Sequence, residues 1–247
     1  MARIIVFGLI FISGIAINRS ASADISVEPT RVVLTSEHRA KTIIVQNNGS
    51  KQQVVSAVWT MLVQGADAVL HPTGQEMPLE QISQIRVWPQ QAVIEPGENA
   101  VFALLLDPEL PLSGENRYHL RFNIDPKRGS GPRWAVVVPV FTRGPSLAPK
   151  VEIIEVSAPE PGKLHISLQN TAGSSPHGHL LVFDRSGQKI TELHNINLYE
   201  RDKMVTFELN IPPGSPPVHF IRYLGDAEFQ GTVFVEQEIL LTHDQHQ

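Results

Sequence analysis

Short apolar runs of β-branched and aromatic residues recur along the whole chain, and turn formers separate them. The first half carries seven: "DISVEPTRVVLT", "AKTIIVQN", "QQVVSAVWTMLV", "QAVIEP", "NAVFALLLD", "RYHLRFNID" and "RWAVVVPVFTR". Each is short and bounded by Gly, Pro, Asn or Asp, which is the signature of strands rather than helices. "QNNGSKQ" and "EPGEN" supply the turns, glycine reaching positive φ and proline fixing φ. Seven such strands in about 120 residues predict an immunoglobulin-like sandwich. "TRGPSLAPK" then breaks the pattern and reads as a semi-rigid linker. Strand signals resume in "VEIIEVSA", "KLHISLQN", "GHLLVFDRSGQKI", "MVTFELNI", "VHFIRYLG" and "TVFVEQEILL", with "DRSGQ" as a hairpin turn. That block, about 90 residues, is also the size of one sandwich. No stretch holds a helical period with caps.

The expected class is therefore all-β, with one sandwich over 24–145, a second over 146–240 and a polar tail at 241–247. Residues 1–23 stand apart. Arg3 gives a basic start, Ile4 to Ile17 an apolar core, and Ala21-Ser22-Ala23 a small-residue cleavage site before Asp24. This is the secretory signal pattern, and it predicts export with no membrane span left after cleavage. Removing 23 residues, two of them arginine, leaves 224 residues with 18 basic against 25 acidic, a formal charge of −7. No basic patch stands out, which argues against nucleic acid. There is no cysteine, so thiol catalysis and Cys-ligated metal are excluded, and a chain this long buries a core without disulfides.

Candidate chemistry is sparse. G-x-S-x-G, H-E-x-x-H, phosphate-loop and dinucleotide motifs are all missing from the sequence. No catalytic residue, cofactor or metal site is expected. His177 and His179 share a strand face at period two and would suit one metal ion, but no acid cluster adjoins them in sequence, and the expectation is solvated loop histidines. Asp226 and Glu228 read as ordinary solvated acids. Arg31 is more informative. In "VEPTRVVLT" it shares strand parity with Val27 and Val33, an unusual position for a charge if that row faces inward. Either it points to solvent at a strand end, or its fork of donors clamps an anion such as a carboxylate. "RWAVVVPVFTR" raises a second question. It is apolar, and Pro139 within it belongs on a sheet edge or at a bulge, where an exposed strand invites another chain to pair.

Taken in order, these segments resemble the periplasmic pilus- and fimbria-assembly chaperones. "ISVEPTRVVLT" looks like that family's opening strand, and "IIVQNNGSKQQVVSAVW" is similar to its second and third strands. "VWPQQAVIEPGENAVFAL" resembles its proline-containing segment before an apolar-x-Pro-Gly turn. "NRYHLRFNID" looks like its F strand and "RWAVVVPVFTRG" like its G strand. The match covers most of the first half, and "ISLQNTAGSSPHGHLLVFD" extends it into the second.

The resemblance implies two immunoglobulin-like sandwiches in a boomerang arrangement, working in the periplasm on pilus or fimbrial subunits and with an outer-membrane usher. The G strand completes a subunit that lacks its last strand, and a cleft arginine captures the subunit's terminal carboxylate. Carried over by position, Arg31 matches the cleft arginine, and Trp134, Val136 and Val138 match the alternating donor row. The family's cleft lysine falls on Pro139, which cannot bind a carboxylate, so either another basic residue, Arg143 or Arg133, takes part or the carboxylate anchor is weakened. The loop "PKRGSGP" before the G strand is short for the family. The same edge would also permit self-association. A structural or adhesive component of an appendage or envelope is the alternative role, and a hydrolase on a sandwich is a third.

Overall fold

The computed structural model describes residues 24–126, 134–145 and 148–239. The leader, the tail from 240 on and Arg133 with the short loop before it lie outside the described residues. In chain order the first strands are β1 (Ile25–Glu28), β2 (Val32–Thr35), β3 (Ala40–Asn47), β4 (Gln53–Gln64), β5 (Leu70–Met77), β6 (Ile85–Trp88), β7 (Gln91–Ile94), β8 (Asn99–Leu106), β9 (Glu115–Pro126) and β10 (Trp134–Arg143). The second group is β11 (Lys150–Ser157), β12 (Lys163–Ala172), β13 (His177–Phe183), β14 (Lys189–Asn197), β15 (Met204–Asn210), β16 (Phe220–Gly225) and β17 (Val233–Glu238). Among the described residues no helix is long and apolar enough to cross a membrane.

The first sandwich packs the sheet β1-β3-β8-β6 against the sheet β2-β10-β9-β4-β5, with β7 also pairing β4. Period-two alternation builds its core. Ile43 and Val45 point inward from β3, Leu120, Phe122 and Ile124 from β9, and Val138 and Val140 from β10. Trp59 is fully buried among them, and its Nε1–H donates to Leu79 O at 3.3 Å. The second sandwich packs β11-β12-β15 against β14-β13-β16-β17 around its own core of Leu164, Ile166, Leu180, Val205, Ile221 and Tyr223. The "DRSGQ" hairpin is held as its sequence predicts. Asp184 Oδ1 accepts from Ser186 N at 2.8 Å and Gln188 N at 2.9 Å, and Gly187 takes φ +84°.

Two readings of the strands change. "ISVEPTRVVLT" is two strands, β1 in one sheet and β2 in the other, so the chain changes sheet between Glu28 and Val32. The count of two is therefore reset: Val27, Val32 and Leu34 are buried in the core, while Arg31 and Val33 face the other way. In addition, β5 and β6 carry no strand signal strong enough to be read from "LHPTGQEM" or "IRVW". Pairing with β4 and β8 makes them strands.

Candidate functional site: an open strand edge and the junction between the sandwiches

β10 is paired on one side along its whole length, Trp134↔Ile124 through Arg143↔Glu115 on β9, with no shift in register. On its other side β2 joins only at the end, in parallel, Val140↔Val32 through Arg143↔Thr35. Among the described residues, Trp134 to Pro139 therefore has no neighbour on that side. Pro139 is the last residue before pairing begins. It sits in an unbulged strand at an edge, where a sheet tolerates a residue without an N–H.

Burial along β10 is graded. Trp134 is 57% exposed and Ala135 is exposed, Val136 and Val137 are half-buried, and Val138 is 1% exposed. The row Trp134, Val136, Val138 faces the first sandwich's own core, which Val136 touches and Val138 joins. The apolar surface on offer is thus concentrated at the Trp134 end.

Arg31 stands immediately before β2, where the open edge stops. Its side chain is 7% exposed, so it does not point to solvent. Its guanidinium lies 3.9 Å over the Phe141 ring, a stacking that suits its planar cation. All its donors reach the second sandwich: Nε to Glu228 Oε1 at 3.0 Å, Nη1 to Asn197 Oδ1 at 3.1 Å and Nη2 to Ser175 O at 3.1 Å. Arg143 joins the same network. Its Nε donates to Glu115 Oε2 at 2.7 Å, its Nη2 to Glu228 Oε1 at 3.3 Å, and its cation lies 5.1 Å from the Phe229 ring. Glu115 Oε1 in turn accepts from Ser175 N at 2.8 Å and Ser175 Oγ at 2.6 Å. Arg31 and Arg143 are thereby brought together through one acid. Glu228 is no solvated strand residue: it lies on the 3-10 turn Ala227–Phe229 and pairs with both arginines.

The junction extends beyond these residues. Arg117 Nη2 binds Glu200 Oε1 at 2.6 Å and its cation lies 4.5 Å from the Tyr199 ring. The turn between β4 and β5 also reaches across. Gln64 Nε2 donates to Asn197 O at 2.8 Å, Tyr199 N to Gln64 Oε1 at 2.9 Å and Thr206 N to Ala66 O at 2.8 Å, while Ala68 packs on the second core. None of these pairings has a local sequence signal, because the partners meet only when the sandwiches dock.

His177 and His179 are strand residues at the start of β13, not solvated loop histidines. Both face Asp226, at 3.2 and 2.8 Å, and His179 Nδ1 lies 3.0 Å from His194 Nδ1. Among the described residues no group of three His, Cys, Asp or Glu side chains is arranged to hold a metal ion.

His119, the cross-strand partner of Pro139, gives the stability of the fold a pH dependence. It is 2% exposed with Nε2 buried and unpartnered among the described residues, and burial, with Arg117 nearby, lowers its pKa to about 4. In the unfolded chain it would titrate near 6.5. As pH falls below that value the unfolded chain takes up the proton first, so stability is lost between about pH 6.5 and about pH 4, by roughly 3 kcal/mol at most. His177 acts in the same direction, its pKa lowered by burial against the opposing pull of Asp226. His119→Phe is expected to flatten this acid limb. Urea unfolding at about pH 7 and about pH 4.5 checks it, and an equal loss in both proteins would refute it.

No family model and no curated protein matches this chain. Solved structures do match it in fold. The class 5 fimbriae chaperone CfaA is 11% identical at a TM-score of 0.52, covering 88% of this chain and 100% of the other. The Pseudomonas aeruginosa CupB2 chaperone is 16% identical at 0.51, with coverage of 88% and 100%. A structure of the Salmonella enterica SafA pilin in complex with the SafB chaperone is 15% identical at 0.50, with coverage of 90% and 98%. The chain thus has the two-sandwich fold found in fimbrial chaperones.

Proposed function

We propose that this chain is a non-enzymatic periplasmic chaperone that binds pilus or fimbrial subunits by adding its open β10 edge to them and hands them to an outer-membrane usher. The observation that carries the reading is the stretch Trp134–Pro139, apolar, held in strand conformation by β9 and, among the described residues, without a strand on its other side. A subunit lacking a strand gains ladder hydrogen bonds from this edge and side-chain packing from its exposed end. The reading includes a direction for the incoming strand. β2 runs parallel to β10 and closes the edge at Val140. A client strand lying in line with β2 and running the same way ends at Arg31, which puts its terminal carboxylate beside the two guanidinium groups of Arg31 and Arg143. Carboxylate and guanidinium match as a charge-assisted fork. Val138, within the protein's own core, contributes to the shape of the donor row rather than to its free surface. The two-sandwich fold shared with fimbrial chaperones supports the same reading.

The test is co-expression with a secreted pilin-type sandwich that lacks its final strand. Trp134→Asp adds a charge at a position 57% exposed, so the fold should survive while recovery of the co-purified subunit falls at least tenfold. Undiminished recovery with Trp134→Asp would overturn the edge mechanism.

A further inference from the structure

The cation pair at the end of the open edge is already occupied. A single oxygen, Glu228 Oε1, lies 3.0 Å from Arg31 Nε and 3.3 Å from Arg143 Nη2. The other groups on Arg31, Asn197 Oδ1 and Ser175 O, are neutral. The other acid on Arg143, Glu115, is 9% exposed and tied down by Ser175. Glu228 is different. Its side chain is 24% exposed, more open than Arg31, Arg143 or Glu115. It is delivered by a three-residue turn whose Ala227 holds φ +49°, a conformation that costs a residue with a Cβ and persists only when its surroundings enforce it.

We propose that Glu228 is a built-in stand-in for the client's terminal carboxylate. It neutralises Arg31 and Arg143 in the client-free chain and is exchanged, carboxylate for carboxylate, when a client strand arrives. The inference rests on the edge-pairing function proposed above. The exchange has a physical advantage. A buried guanidinium stripped of its counter-charge is strongly unfavourable, and a like-for-like swap keeps Arg31 compensated in both states. The consequence is that the carboxylate contributes less net affinity than two arginines would give if they were free, and that Glu228 sets how much.

The experiment uses the full chain and two synthetic ten-residue peptides of alternating Val and Thr, one with a free C-terminal carboxylate and one amidated, titrated calorimetrically into wild type, Glu228→Gln and Trp134→Asp. Glutamine keeps an accepting oxygen, so the turn stays seated, but removes the competing charge. Glu228→Gln is expected to tighten binding of the carboxylate peptide by about tenfold, the size of one charge-assisted contact, and to leave the amide peptide unchanged. A purely structural Glu228 would move both peptides together. An unchanged or reduced preference for the carboxylate, with binding still abolished by Trp134→Asp, overturns the exchange alone. Binding of neither peptide, or binding indifferent to Trp134→Asp, overturns the edge reading and the exchange with it.

Discussion

Glu115→Ala is expected to release the two sandwiches from each other while leaving each one folded. Glu115 is the hub of the junction: Oε2 holds Arg143 from its own sheet, and Oε1 takes both the N–H and the hydroxyl of Ser175 from the other sandwich. Its side chain is 9% exposed and that of Arg143 is 11% exposed, so little water is available to replace the lost contacts. Removing one partner of a buried pair costs about 3–5 kcal/mol, and the stranded Ser175 donors add to that. Neither hydrophobic core is touched, because Glu115 belongs to neither. Calorimetry should show the melting profile split into two transitions, and small-angle scattering should show a larger radius of gyration. A single transition at the wild-type temperature would show that the β4–β5 turn and the Arg117–Glu200 pair suffice to hold the junction.

Trp59→Ala is expected to have the largest effect on the stability of the first sandwich itself. Trp59 is 0% exposed, lies 6.0 Å from the Tyr118 ring and spends its one donor on Leu79 O. Truncation removes the transfer energy of an indole and leaves a cavity, about 3–5 kcal/mol together, against a typical total stability of about 5–15 kcal/mol. The first sandwich should unfold at much lower denaturant while the second retains its own transition. Trp59→Phe restores most of the buried area but not the hydrogen bond, and should fall between. A loss below about 1 kcal/mol on Trp59→Ala would mean that the site collapses around the gap. The functional consequence follows from topology. β4 carries Trp59 and braces β9, and among the described residues β9 is the only strand that holds Trp134–Pro139. The open edge should lose its client when this core fails.

The strands of both sandwiches were legible where side chains alternate, as in "AKTIIVQN" and "KLHISLQN", because half-burial imposes a period of two on any sheet strand. The "DRSGQ" hairpin was legible because an aspartate and a glycine form it with their own neighbours. β5 was not, since "LHPTGQEM" has no alternation and depends on β4 for its conformation. Arg31 was singled out for its charge, yet its row was misjudged, because a change of sheet between Glu28 and Val32 resets parity and leaves no mark in the pattern. His177, His179, Asp226 and Glu228 looked like solvated residues for a related reason: nothing beside them in the chain answers their charge.

By itself, then, the sequence determined the period, the turns and the all-β class, since each depends on residues a few positions apart. It also marked β10 as the strand to question, through Pro139 inside an apolar run. Only the tertiary structure decided that β2 covers the last four residues of that strand and that no other described strand covers the rest on that side. It alone decided that Arg31 meets a glutamate 197 positions away. An edge is open or closed, and a buried charge paired or not, according to which surfaces dock, and docking is a property of the folded whole.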